Sequence, residues 1–79
     1  MIRYTHHAEE AIAERGIDRA WIEATLAQPD RTEPDPRPGV TRSYRAVPQF
    51  SGRVRRVVHR TAGDDLVVIT VHFDRGAGR

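Results

Sequence analysis

The apolar residues in the first third of the chain recur at the spacing of an amphipathic α-helix. One helical face collects side chains three and four positions apart, namely Ala8, Ala11 and Ile12. Thr5 precedes this run and is suited to cap the amino terminus of a helix, while Gly16 is suited to the left-handed conformation that ends one. The pattern predicts a helix over about residues 6–15.

A second helix is predicted to follow almost without a connection. Asp18 is the expected cap, and Ile17 and Ile22 stand at the two positions of a hydrophobic staple. Leu26 continues the apolar stripe. Pro29 ends the helix because proline lacks a backbone N–H group and restricts the residue before it.

Beyond residue 39 the periodicity changes to the alternation of β-strands. Residues 29–39 hold four of the five prolines and are predicted to form an extended loop. Strands are expected over residues 41–47, 53–60 and 66–73, with a hairpin loop at residues 61–65 and a further short strand at residues 2–4. We predict an α+β fold with two amino-terminal helices packed on one face of a three- to four-stranded antiparallel sheet.

Length and composition restrict the class of protein. The 79 residues suffice for one domain, placed at residues 1–75, with a flexible tail over residues 76–79. The lack of cysteine excludes a disulfide framework, a zinc ribbon and a thiol nucleophile. No apolar run approaches the roughly 20 residues of a membrane span, and the amino terminus lacks an apolar signal segment. These features predict a cytoplasmic domain without a membrane partner.

Charge is distributed unevenly along the chain. All 13 basic residues are arginine, and the formal net charge is +2. Residues 1–40 carry five arginines and eight carboxylates, whereas residues 41–79 carry eight arginines and three carboxylates. Because a guanidinium group can donate two parallel hydrogen bonds to a phosphate, the basic half is a candidate polyanion-binding surface. The alternative is an ordinary solvated strand face.

The pairing of the last two strands decides which arginines share a face. We expect Arg53 opposite His72 and Arg55 opposite Thr70, because a shift by one residue would bury both arginines among apolar side chains. In this register the open face of the sheet carries Arg53, Arg55, His59, Thr70 and His72. The opposite, apolar face then forms the core.

An arginine-rich sheet face with an aromatic residue suits single-stranded RNA or an RNA loop. The candidates for RNA contact are Arg42, Tyr44, Arg45 and His59. His72 is the candidate general acid or base, with Arg53 and Arg55 stabilising charge on the phosphate. The alternative for His72 is a half-buried polar residue that closes a strand. No cofactor is implied, and metal binding is disfavoured because no carboxylate lies at a supporting spacing from the histidines.

Several short motifs are spread over residues 5–75: His7-Ala8, Glu14-Arg15-Gly16-Ile17, Pro29-Asp30, Tyr44-Arg45, Arg55 with Val57-Val58, and Val68-Ile69-Thr70-Val71. Together they resemble a family of short bacterial and phage domains of unknown function that is grouped with RelE-like and ParE-like toxins. The resemblance implies a barnase-like or EndoU-like nuclease fold whose sheet face cleaves RNA, often on the ribosome. For ParE-like branches it implies inhibition of a DNA topoisomerase by protein contact.

The resemblance also implies where an active site would lie. RelE-like sites use basic residues of the sheet and a residue near the chain end, and the comparable positions here are Arg45, Arg53, Arg55, His72 and Arg75. Two positions depart from the family pattern. Ala11 stands where the family often has arginine, and His72 stands where it often has an aromatic residue such as tyrosine.

Three functions are open at this point. The leading one is a RelE-like toxin-type domain that acts as a metal-independent RNA endonuclease, with RNA or the ribosome as target and an antitoxin or immunity protein as partner. The alternative is a non-enzymatic interaction module of the same fold, such as an inactive toxin-like or phage accessory protein. A third is electrostatic binding of nucleic acid without cleavage. Convergence of Arg53, Arg55 and His72 on one open face would favour the enzyme.

Overall fold

The computed structural model of the chain describes residues 1–47 and 53–74, with side chains described for residues 1–46 and 55–72. In chain order, the elements of this part are β1 (Ile2–Tyr4), α1 (His6–Arg15), α2 (Arg19–Ala27), β2 (Arg31–Pro34), β3 (Val40–Val47), β4 (Arg53–Ala62) and β5 (Asp65–Asp74). The described strands form one mixed sheet in the order β1-β5-β4-β3-β2. Of the described helices, neither has the length and apolar character that crossing a bilayer requires.

Local signals at the ends of α1 act as the sequence predicts. The Thr5 side chain accepts a hydrogen bond from the Ala8 backbone N–H group at 3.1 Å, as an N-cap does. Gly16 adopts the left-handed conformation, with φ 60° and ψ 41°. The Ile17 N–H group then donates to the Ile12 carbonyl oxygen at 3.0 Å, which is the bond of a Schellman stop. The predicted bounds of α1 are confirmed.

Both helices cover the same face of the sheet. The buried cluster between helices and sheet consists of Ala8, Ile12, Ile17, Ile22, Val57, Val68 and Val71, with Ile2, Tyr4 and Leu26 packed against it. Val57 and Val71 are cross-strand partners in β4 and β5 and therefore share one face. We call this the helix-covered face and the other side the uncovered face.

A β-bulge interrupts β5. Strand β4 pairs Val58 with Thr70 and then His59 with Val68, so Ile69 has no partner across the ladder. Side chains of a regular strand alternate between the two faces of the sheet. The extra residue shifts this alternation by one position in β5, whereas β4 alternates without a break. The described side chains of β4, at residues 55–62, therefore keep one rule, in which odd-numbered residues face the helices and even-numbered residues face away.

The bulge allows Val68 and Val71, three residues apart, to enter the same core. Thr5 holds it in place, because its hydroxyl group donates to the Ile69 carbonyl oxygen at 2.9 Å. The Thr5 N–H group donates to the neighbouring Val68 carbonyl oxygen at 3.0 Å. The residue that caps α1 thus also ties that helix to the irregular point of the sheet.

Two features of the sheet differ from the prediction. β1 is parallel to β5, so the sheet is mixed, whereas the strands from β2 to β5 are antiparallel as expected. β2 forms within residues 29–39, which were predicted to be a loop. It is an edge strand, where Pro34 can be accommodated because its backbone nitrogen, which carries no hydrogen, faces away from the ladder.

The hairpin after β4 is tighter than predicted, with Gly63 at φ 62°.

Replacing Thr5 tests its double role. We expect Thr5→Val to lower the free energy of unfolding by about 2 kcal/mol, because the lost helix cap and the lost bond to the bulge each cost about 1 kcal/mol. Thr5→Ser keeps the hydroxyl group and is the matched control. Urea denaturation measures both variants. Equal stability of the two variants would contradict the assignment.

Candidate nucleic-acid interface

The observed register places Arg55 and His72 on opposite faces of the sheet. Arg55 pairs with Phe73 of β5, and Arg56 pairs with His72. Since Val57 lies in the core beneath the helices, Arg55 shares its face, and Arg56 and His72 lie on the uncovered face. The predicted register is therefore wrong: Phe73 rather than Thr70 lies opposite Arg55, a shift of three residues, and Arg55 does not converge with His72.

Arg55 is tolerated on the helix-covered face because α2 supplies partners for its charge. The residue is 1% exposed. Its guanidinium carbon lies 4.9 Å from the centroid of the Trp21 ring, in cation–π geometry. Burial lowers the pKa of Arg55, and the nearby Asp18 carboxylate opposes that shift. Arg55 therefore serves the packing of α2 on the sheet.

Arg45 lies directly across from Arg55 and serves the same helix. Its guanidinium group donates to the Gln28 carbonyl oxygen at 2.8 Å and approaches the Ala24 carbonyl oxygen at 3.4 Å. These carbonyl groups belong to the carboxyl end of α2, where a cation stabilises the helix dipole. The predicted RNA contact by Arg45 is thus replaced by a helix cap on the opposite face.

His59 also lies on the helix-covered face, since its partner Val68 is a core residue. Its Nε2 atom lies 2.7 Å from the hydroxyl oxygen of Ser43, which is 2% exposed. Burial lowers the pKa of His59 below its usual range. Its expected place on the open face beside His72 is therefore wrong, and the residue forms a half-buried polar pair with Ser43.

The uncovered face carries a row of side chains that crosses four strands. Cross-strand pairing aligns Arg31, Tyr44, Arg56 and His72. At one end of the row the Arg56 Nε group donates to His72 Nε2. This bond requires an unprotonated Nε2 atom, so the imidazole ring is neutral when the bond forms. His72 is a residue predicted from the sequence, whereas its neighbour Arg56 was not among the predicted site residues.

Tyr44 lies in the row but is covered. It is 2% exposed, and its hydroxyl group donates to Glu33. The Arg31 guanidinium carbon stands 3.9 Å from the centroid of the Tyr44 ring. The predicted stacking of a base on Tyr44 itself is therefore excluded in this arrangement.

Arg42, a candidate for RNA contact, lies on the uncovered face, yet carboxylates already contact it. Its Nε group donates to Asp35 at 2.9 Å, and another nitrogen lies 3.5 Å from Glu33. Hydrogen bonds from Arg37 and then Arg42 hold the pKa of Asp35 well below its usual range. At the β2 end of the uncovered face, arginines and carboxylates are therefore paired with one another.

The excess positive charge lies along β4. Arg60 is exposed and forms no ion pair with a carboxylate in the described part of the chain. It shares the uncovered face with Arg56, four residues away along the strand, which corresponds to roughly 13 Å. Among the described residues no carboxylate forms an ion pair with Arg60, so this stretch of β4 carries an excess of positive charge.

Two predicted catalytic residues cannot be placed in this geometry. Arg53 occupies the first position of β4, opposite Val47, and its side chain lies outside the described part. Arg75 lies outside the described residues altogether. Among the side chains that are described, no group of three or more histidines and carboxylates could hold a metal ion.

Comparison with known proteins adds a family. A family model with the description Domain of unknown function (DUF4258) matches residues 4–73. No curated protein and no solved structure matches the chain. The family match spans nearly all of the described elements, including both faces of the sheet.

The His59 environment predicts a pH dependence of stability. Because the pKa of His59 in the folded chain lies below the ordinary value of 6.5, the unfolded chain takes up a proton first as the pH falls. The contribution of His59 to the free energy of unfolding is complete above that ordinary pKa value and is lost as the pH falls below it. The free energy of unfolding then changes by at most about 1.4 kcal/mol per pH unit.

Urea denaturation between about pH 7.5 and pH 5 measures this slope, a range above the ordinary pKa values of the carboxylates. His59→Gln is expected to reduce the pH dependence of the free energy of unfolding, whereas His7→Gln, at an exposed position of α1, should retain it. A wild-type slope that persists in His59→Gln would assign the effect to another group.

Proposed function

The chain belongs to the family of domains of unknown function named above, and from that premise we propose that the uncovered face binds single-stranded RNA. The observation that carries the proposal is the position of Arg56 and Arg60 on one face of β4, with His72 beside Arg56. Two guanidinium groups on one strand, roughly 13 Å apart, offer paired donors to two non-adjacent phosphates of an extended chain.

The shape of the surface favours a single strand over a duplex. An open sheet face presents side chains at strand spacings of about 4.8 Å and has no helix or ribbon that projects into a groove. Flat sheet surfaces that present arginine side chains suit unpaired nucleotides, because bases can stack on guanidinium planes. We propose RNA rather than DNA because the sequence resembles RelE-like ribonucleases, which act on RNA.

A second candidate function is metal-independent cleavage of the bound RNA, favoured by the bond between Arg56 and His72. A phosphate that binds the Arg56 guanidinium competes for the N–H group that now occupies His72 Nε2. The released Nε2 lone pair can then accept the proton of a 2′-hydroxyl group. Substrate binding and activation of the base are thereby linked.

The cleavage step balances without a metal ion. His72 Nε2 takes the 2′-hydroxyl proton, the 2′-oxygen bonds to phosphorus, and the bond from phosphorus to the 5′-oxygen breaks. Water supplies the proton to the departing 5′-oxygen. Arg56 stabilises the negative charge that develops on the phosphate oxygens. The products are a 2′,3′-cyclic phosphate and a free 5′-hydroxyl group.

A RelE-like toxin role, with the ribosome as target and an antitoxin or immunity protein as partner, stays a prediction from the resemblance. The burial of Arg55 removes one cation from the predicted active site. That loss favours RNA binding over catalysis as the first function to test. A non-enzymatic interaction module that binds a protein remains the alternative if RNA does not bind.

Adjacent arginines on opposite faces provide a matched test of RNA binding. We expect Arg56→Met to weaken binding of a single-stranded RNA about fivefold or more and to reduce the salt dependence by about one phosphate contact. Arg55→Met is expected to change neither quantity, because Arg55 is buried beneath α2. Fluorescence anisotropy with a labelled oligonucleotide at several salt concentrations measures both.

Circular dichroism establishes that the Arg55→Met protein is folded at the temperature of the binding assay. Arg60→Met should behave as Arg56→Met does, since both residues lie on the uncovered face. If Arg55→Met and Arg56→Met weaken binding equally, the uncovered face is not the RNA-binding surface.

Cleavage has its own test. In EDTA, with and without ribosomes, the wild-type protein is expected to produce RNA fragments with 2′,3′-cyclic phosphate ends. His72→Ala should lower the rate about 100-fold or more, the usual contribution of a general base. His59→Gln is the control because His59 lies on the other face. Binding without cleavage by the folded wild-type protein would leave RNA binding as the function.

A further inference from the structure

On the uncovered face, the Arg31 guanidinium group covers the aromatic ring of Tyr44 and is exposed in its place. Arg31 and Tyr44 are direct cross-strand partners of β2 and β3. Their pairing places the guanidinium carbon 3.9 Å from the ring centroid, and the ring is almost fully buried. An incoming planar ligand therefore meets Arg31 before it can meet Tyr44.

Glu33 holds this stack together. One of its carboxylate oxygens accepts a hydrogen bond from Arg31 at 3.0 Å, and the other accepts one from the Tyr44 hydroxyl group. Hydrogen bonds from Tyr44 and then Arg31 lower the pKa of Glu33, so it is ionised at neutral pH. The guanidinium group is thus restrained both by the ring below it and by a carboxylate at its edge, which reduces the entropy cost of stacking on it.

The outer side of the guanidinium group is accessible. Half of the Arg31 side chain is exposed, at 50%. A guanidinium plane is weakly hydrated, and unpaired nucleobases stack on such planes in RNA complexes. Arg31 lies two strands from Arg56 in the same row, which corresponds to roughly 10 Å. One RNA strand can therefore place a base on Arg31 and a nearby phosphate at Arg56.

We propose that Arg31, stacked on Tyr44 and held by Glu33, is a nucleobase-stacking site for a purine of single-stranded RNA. A purine is favoured because its larger ring system overlaps more of the guanidinium plane. The inference rests on the proposed RNA-binding function and adds to it a residue that recognises bases rather than phosphates.

The test separates base stacking from phosphate binding. Affinity is measured for a labelled oligoadenylate and for an abasic ribose-phosphate chain of the same length and charge. We expect the wild-type protein to bind oligoadenylate about tenfold more tightly, the range for one stacked base. Arg31→Lys keeps the charge but lacks the plane. It should bring the two affinities to about the same value while leaving the affinity for the abasic chain unchanged.

Arg19→Lys is the matched control, a change of the same chemistry at an exposed position of α2 on the helix-covered side of the sheet, and it should retain the wild-type ratio. Equal wild-type affinities for the two oligonucleotides, or an unchanged ratio in Arg31→Lys, would overturn the stacking site and leave RNA binding intact. Failure of the folded wild-type protein to bind either oligonucleotide would overturn RNA binding and the stacking site together.

Discussion

The irregular point of β5 sets which side chains of the sheet meet the helices. Val68 and Val71 would point to opposite faces of a regular strand, since they are three residues apart. The bulge at Ile69 supplies the extra residue that brings both into the core. Thr5 binds the Ile69 carbonyl oxygen and caps α1. Thr5 therefore links the start of the first helix to the bulge that places both Val68 and Val71 in the core.

The arginine side chains described in β4 fall into two groups with different physical roles, because odd-numbered and even-numbered residues of the strand face opposite sides of the sheet. Arg55 faces α2, where the Trp21 ring and the Asp18 carboxylate offset part of the cost of its burial. Arg56 and Arg60 face away from the helices. The unfavourable burial of a cation was the reason to expect Arg55 on the open face, but neighbouring groups lower that cost. Here α2 brings those partners from a distant part of the sequence.

The acidic half of the chain does not stay apart from the basic half. Residues 31–34 form β2 beside β3, which carries Glu33 to Arg42 and Tyr44. The basic character predicted for the second half is therefore neutralised at the β2 end of the uncovered face. It persists at Arg60, which has no carboxylate partner in the described region. Charge counted along the chain locates the excess of positive charge on the described surface less well than charge counted across the sheet.

The sequence by itself determined the helices, their ends and the approximate strands, because Thr5, Gly16 and Asp18 act through bonds to residues close in the chain. It also identified Thr70 and His72 as residues of one open face. Only the tertiary structure decided the bulge at Ile69, the pairing of β2 and the burial of Arg55. Those features depend on hydrogen bonds and packing between residues far apart in sequence. A one-residue change in such pairing moves each side chain of a strand to the other face while its local pattern stays the same.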